Sequence, residues 1–248
     1  MARFVLVHGA YGGAWGWEPV IGGLEAGGHT AEAFDLPGAG DDRTPVAGVT
    51  LDACVERVCG VLAARPEPAI LVGHSMGGIV ITQSAARCPD RIALLVYVCA
   101  FLPADGQSLL DLTRLPEGAD DQIQANLVVV GDPPVAELSA EATREAVYNC
   151  CTDEQAAWAV ERRRPQPVAV FTTPVSLGEA SLPPRTYVIC TRDNSIPPAL
   201  QRRMVRERPC ADVVELDTDH APFLSRTVEL VAALERFAGL AGAGELRG

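Results

Sequence analysis

The chain has 248 residues, which suits one large α/β domain, and 48% of them are apolar, enough for a substantial core. A formal net charge of −12 argues against nucleic acid and anionic membranes as partners. All 20 basic residues are arginine, so a Schiff base, a phosphate-loop lysine and lysine acid–base chemistry are excluded. No apolar run reaches the roughly 18 residues that span a bilayer. Arg3 is followed at once by a short strand and a glycine-rich loop, so no signal peptide is read at the start. The eight cysteines, at 54, 59, 88, 99, 150, 151, 190 and 210, form no C-x-x-C pair, and several sit at apolar strand or helix positions. Reduced thiols in a cytoplasmic protein are expected from that distribution. With four histidines and no ligand spacing, no metal site is expected.

In chain order, Phe4-Val5-Leu6-Val7 is a continuous apolar run, as a strand buried on both faces requires. The glycine-rich loop His8 to Trp15 follows it, without the spacing of a phosphate-binding loop. Trp17 to Ala26 reads as a helix ended by Gly27-Gly28, and Thr30 to Phe34 as a second strand. Leu51, Val55, Val58 and Leu62 have helical spacing over 51–64. Ala69 to Val72 is a third strand, and Ile79 to Arg87 a helix stopped by Pro89. Ile92 to Val98 is a fourth strand. This alternation predicts a doubly wound parallel sheet.

Between the third strand and its helix lies Gly73-His74-Ser75-Met76-Gly77-Gly78. Gly-x-Ser-x-Gly in a strand–turn–helix context is the nucleophile elbow of the α/β-hydrolases. The glycines give room to a strained turn that lifts the Ser75 hydroxyl into a pocket. In that arrangement the loop after the first strand supplies one oxyanion donor. Ala10 is the best candidate there, with the N–H of Met76 as the second donor.

From about Pro103 the alternation is lost, and six prolines between 116 and 174 interrupt the chain. Thr152-Asp153-Glu154-Gln155 is a capping box for a helix carrying Trp158, and Ser139 caps another before it. Residues 103–182 are read as a mainly helical cap over Ser75, inserted into a core of 1–102 and 183–248. The sheet resumes with Thr186 to Cys190, then a helix over 199–206, a last strand over 213–216 and a closing helix over 227–237. The tail Gly239 to Gly248 reads as frayed.

A serine needs a base within hydrogen-bond reach, and the base needs an orienting group. Sites in open parallel sheets gather at the carboxyl ends of strands. His220 follows the last strand and fits. His29 precedes a strand and is assigned to the surface, and His8 to a structural role in the glycine loop. His74 is expected to point away from the base position. Asp193, three residues past Cys190, is the favoured acid, with Asp105 its main rival. Asp217 and Asp219 are read as shaping the His220 loop. The order Ser75, Asp193, His220 is that of the α/β-hydrolases. Tyr11, Trp158 and Phe223 are the candidate pocket walls.

These residues carry a resemblance. Phe4 to Ala10 with Gly13-Ala14-Trp15, Gly73 to Gly78, Cys190-Thr191-Arg192-Asp193 with Ile196-Pro197, and Asp219-His220 resemble the plant methylesterase and hydroxynitrile lyase branch of the α/β-hydrolases and its bacterial esterase relatives. The resemblance implies an α/β-hydrolase fold, a mostly parallel doubly wound sheet of about six strands with an inserted, mainly helical cap. It also implies Ser75, Asp193 and His220 as the triad, and Ala10 and Met76 as oxyanion donors. The lyases of this branch carry a threonine at the place of Gly9 and a lysine directly after the histidine. Here Ala221 stands after His220, which favours an esterase. The expected function is a serine hydrolase acting on small-molecule esters, without metal or organic cofactor. A hydroxynitrile-lyase-like C–C lyase and a non-catalytic small-molecule binder on the same scaffold are the alternatives. Acyl specificity, lactone or thioester substrates, and the oligomeric state, a homodimer included, stay open at this level.

Overall fold

The structure is a computed structural model, and it describes residues 1–243. In chain order the core begins β1 (Arg3–Val7), α1 (Glu18–Ala26), β2 (Thr30–Ala33), α2 (Leu51–Ala63), β3 (Ala69–His74), α3 (Gly77–Arg87) and β4 (Ile92–Val98). A long segment follows, with α4 (Leu109–Thr113), α5 (Gln122–Asn126), β5 (Val128–Val130), β6 (Val135–Glu137), α6 (Ala140–Val147), α7 (Asp153–Arg162), β7 (Gln166–Pro167) and α8 (Ala169–Thr172). The chain then returns through β8 (Arg185–Cys190), α9 (Pro198–Glu207), β9 (Asp212–Leu216), α10 (Pro222–Ser225) and α11 (Thr227–Ala243).

Six strands form one parallel sheet in the order β2-β1-β3-β4-β8-β9. Successive side chains of a strand point to opposite faces. Val5 and Val7 therefore enter the core shared with Val55, Val58 and Ile81 of α2 and α3. Phe4 and Leu6 enter the core shared with Leu24 of α1 and Leu234 and Phe237 of α11. Both faces are covered, which is why β1 is buried at every residue and is apolar from Phe4 to Val7. From β1 the chain moves outward to β2, then crosses back to place β3 on the other side of β1. The order reverses at β1 and β3, so a crevice opens beyond their carboxyl ends. The His8–Gly13 loop and the Gly73–Gly78 turn stand at that crevice.

Three expectations are corrected. The segment between β4 and β8 is mainly helical but also holds a three-stranded antiparallel sheet, β5-β6-β7. Its cue was two valine-containing runs flanking Gly131-Asp132-Pro133-Pro134, a turn-forming stretch. Not every thiol is free: Cys59 and Cys88 form a disulfide, while six cysteines stay unpaired. The packing of α2 against α3 brings these residues to a Cα separation of 6.4 Å, a neighbourhood that local spacing does not encode. Finally, Gly239 to Ala243 continue α11 as helix, where Ala238, Leu240 and Ala241 pack against the core; residues 244–248 lie outside the described ones. Among the described residues no helix is long and apolar enough to cross a membrane.

Close backbone packing at the start of α3 makes a stability prediction. A Cβ on Gly78 would sit 2.1 Å from the carbonyl oxygen of Phe101, which is backbone and cannot swing away. A Cβ on Gly22, exposed on α1, meets nothing within 4 Å. Gly78→Ala should destabilise the protein by ~1–3 kcal/mol through overpacking. Gly22→Ala should stabilise it by ~0.4–1 kcal/mol by restricting the unfolded chain. Thermal melts of the two variants check the opposite signs.

Candidate active site

Ser75 sits between β3 and α3 with φ of +55°, a region a side chain rarely adopts. Its backbone is held by β4 and the loop after it. The Ser75 N–H donates to Val98 O at 3.3 Å, and Ser75 O accepts from the N–H groups of Gly78 and Phe101. The turn closes because its flanks are bare. A Cβ on Gly73 would lie 2.8 Å from Gly77 O, and one on Gly77 would lie 2.9 Å from Val7 O and His8 O. The β1 loop presses equally close: a Cβ on Gly9 would stand 2.7 Å from Ser75 Cβ.

That loop is braced from within. His8 is buried, with Nδ1–H donating to Gly9 O at 2.8 Å and Nε2 accepting from Leu36 N–H at 3.0 Å. Burial lowers its pKa, so the neutral ring that this pairing needs is favoured. The N–H groups of Ala10 and Met76 donate to no acceptor among the described residues. Both residues border the cavity at Ser75.

Asp193 and His220 meet across the ends of β8 and β9. His220 Nδ1–H donates to Asp193 Oδ2 at 2.7 Å, and both side chains are buried. Three further donors fill the carboxylate: Ser195 N–H at 2.7 Å, Ile196 N–H at 2.8 Å and Gln201 Nε2 at 3.0 Å. Gln201 is itself buried and also bonds Cys190 and Ile196, so α9 holds the acid in place. His220 Nε2 and Ser75 Oγ have no hydrogen-bond partner among the described residues, and both residues line one cavity.

The rival Asp105 lies elsewhere: its Oδ1 accepts from Leu177 N–H at 2.7 Å, tying two loops together. Asp219 is fully buried. It accepts from Ala221 N–H and Ser225 Oγ near His220, and from Cys150 N–H across the chain at 2.7 Å. Asp217 accepts from Thr191 Oγ1. His29 accepts from Ala2 N–H at the opposite edge of the sheet.

His74 departs from expectation. Its ring does not avoid the base: it lies 4.6 Å from the His220 ring, and Nε2–H donates to His220 O at 2.7 Å. Burial, then the neighbouring His220 charge, hold its pKa well below the ordinary histidine range. A neutral His74 thus props the main chain of His220. The Cys99 thiol donates to the same carbonyl at 3.5 Å. His74, Cys99 and His220 are close enough to resemble a ligand set. Their polar atoms are already engaged, with His74 Nε2–H and the Cys99 thiol both donating to His220 O and His220 Nδ1–H to Asp193.

Two cavities converge on Ser75. The larger is walled by Tyr11, Trp17, Tyr148, Phe223 and Arg163. The smaller is walled by Tyr11, Phe101, Leu109, Asp121 and Phe171. Tyr11 and Phe223 thus reach the site. Trp158 does not: it packs edge-on against Trp15 at 5.1 Å, with the Arg162 guanidinium over its ring. Tyr148 and Asp121 were missed. Asp121 carried only the signal of a helix cap, and its pKa is raised to about 6 by burial.

The comparisons with known proteins agree with this architecture. Methylesterase 17 of Arabidopsis thaliana is 30% identical over 94% of this chain and 90% of its own. Putative methylesterase 11, chloroplastic, from the same plant is 32% identical over 90% of this chain, which spans 60% of that protein's length. Among solved structures, a pyrethroid hydrolase from Sphingobium faniae superposes with a TM-score of 0.86 at 28% identity, covering 98% of each chain. Polyneuridine aldehyde esterase superposes with a TM-score of 0.84 at 26% identity, covering 96% of this chain and 99% of its own. With residues 4–234 matching the family's pattern, the chain belongs to the alpha/beta hydrolase family.

Proposed function

We propose that the protein is a serine hydrolase that cleaves small carboxylic esters through an acyl-enzyme on Ser75, with His220 as base and Asp193 as its orienting acid. The observation that carries this reading is His220, bonded to the buried Asp193, lining the same cavity as a serine held at positive φ. Methylesterases and esterases among the similar proteins support the ester bond as target.

The steps follow from the placement of these groups. His220 Nε2 takes the Ser75 proton as Oγ attacks the ester carbonyl carbon. Asp193 holds Nδ1–H, so the tautomer leaves Nε2 free, and its charge favours the imidazolium that forms. The N–H groups of Ala10 and Met76 bind the oxyanion, each contributing about 3 kcal/mol to lowering the barrier. His220 returns the proton to the departing alcohol. Water, deprotonated by His220, then attacks the acyl carbon and frees Ser75. No step draws on a metal or an organic cofactor.

A lyase reading is disfavoured on a local ground. Position 9 has no room for a threonine side chain beside Ser75, and no lysine follows His220 to take up a departing anion. Mandelonitrile should release no cyanide above the uncatalysed rate. We also propose residues 103–182 as a cap on a core of 1–102 and 183–248. Tyr148, Phe171, Asp121 and Arg163 bring its side chains to the cavities at Ser75.

Ser75→Ala should abolish turnover of small methyl and aryl esters while the circular dichroism spectrum is unchanged. Ester turnover retained by that variant would move the nucleophile elsewhere. Asp193→Asn should lower kcat by roughly 10³–10⁴-fold, as loss of the orienting acid does in such triads. Asp105→Asn should leave kcat within a few-fold of wild type. A collapse in the second variant and not the first would reassign the acid.

A further inference from the structure

The smaller cavity at Ser75 holds chemistry that ester cleavage leaves unused. Its walls are largely apolar, from Phe101, Leu109 and Phe171. Among them stands Asp121, only 4% exposed. Its Oδ1 caps α5 by accepting from Ile123 N–H at 2.8 Å and Gln124 N–H at 3.0 Å. Oδ2 has no hydrogen-bond partner among the described residues. Capping alone does not call for this residue, since serine or asparagine caps as well without a buried charge. Burial raises its pKa to about 6, a sign of how poorly the wall solvates the carboxylate.

Tyr11 is a second, independent anomaly. It lines the same cavity at 8% exposure, and its buried phenol oxygen has no hydrogen-bond partner among the described residues. Its backbone is fixed at φ of +63°, with Arg164 N–H donating to Tyr11 O at 3.1 Å. Burial raises the phenol's pKa, while the Arg163 guanidinium nearby lowers it and the Asp121 charge raises it, so both charges lie within reach of the ring. An orphaned buried polar group costs about 1–3 kcal/mol. The orphaned Tyr11 phenol and the unpartnered Asp121 Oδ2 beside one cavity point to a ligand group that answers both.

The two groups differ in what they ask for. An ionised Asp121 only accepts, and Tyr11 can donate. A ligand carboxylate would answer Tyr11 and be repelled by Asp121. An ammonium would answer Asp121 and leave the phenol proton unused. A hydroxyl both donates and accepts. We propose that this cavity receives a hydroxyl-bearing part of the ester, with the hydroxyl donating to Asp121 Oδ2 and accepting from Tyr11. The substrate class is then a hydroxylated ester, with its hydroxyl remote from the bond that breaks. This rests on the ester-hydrolase reading and extends it to specificity.

Matched ester pairs test it, with a hydroxyl or a methyl placed three to five atoms from the carbonyl. One series carries the group on the acyl chain, the other on the alcohol. Wild type should favour the hydroxyl member by at least about tenfold in kcat/KM in one series, because the methyl analogue leaves both groups unpaired. Asp121→Asn, which keeps a capping oxygen, and Tyr11→Phe should each cut that ratio to below about threefold. Each ratio is taken within one variant, so partial loss of folded protein cancels. Turnover in wild type with a ratio near one in both series would overturn the proposal and leave ester hydrolysis standing. A preference that survives both substitutions would overturn it as well. Absence of any ester turnover, with no covalent label on Ser75, would remove the hydrolase reading and this proposal together.

Discussion

The strained backbone of Ser75 is the constraint on which the rest depends. A non-glycine residue at φ of +55° costs of order 1–3 kcal/mol and persists only where its surroundings over-determine it. Here they do so from three sides. The end of β4 and the loop after it hold both backbone polar groups of Ser75. Val7 and His8 leave no room for a side chain at position 77, and Ser75 leaves none at position 9. The crossing from β2 back to β3 sets the first and third strands side by side, so loop and turn share one crevice. Strand order, glycine placement and serine geometry are therefore one fact seen at three scales.

Around that point the site is a buried polar network with its protons assigned by burial. His8 and His74 are both pushed toward the neutral ring, and each spends a ring N–H on a backbone carbonyl. His8 braces the β1 loop, and His74 braces the main chain of His220. Asp219 ties the His220 loop to Cys150, in the segment between β4 and β8. Histidines and carboxylates around the site thus divide into groups that shape loops and one pair, Asp193–His220, whose histidine borders the cavity with a ring nitrogen to spare.

Much of this was legible in the amino-acid order because the informative features are local. Buried parallel strands carry continuous apolar runs, as Phe4 to Val7 of β1 and Ala69 to Val72 of β3 do. A positive-φ serine demands small neighbours at fixed offsets, and strand ends point to Asp193 and His220, which the fold brings into contact. What escaped was set by proximity between distant segments. The Cys59–Cys88 pair depends on how α2 meets α3. The contact of His74 with His220 joins residues 146 positions apart. Trp158 sits on an exposed-to-buried helix whose local pattern does not say which partner its ring finds, and it found Trp15. Asp121 reads as a cap because it is one; that its second oxygen stands in an apolar cavity follows only from the fold.

Specificity and chemistry are consequently separable in this molecule. The proposed reacting groups, Ser75, Asp193 and His220, follow strand ends of the parallel sheet, while the walls of both cavities draw on the segment between β4 and β8. The central claim concerns the former, that Ser75 is a nucleophile activated by its surroundings. Covalent labelling with a fluorophosphonate, followed by peptide mapping by mass spectrometry, measures this directly. The account predicts a single stoichiometric adduct on Ser75. An unlabelled Ser75 in folded protein, or an adduct carried by another residue, would contradict it.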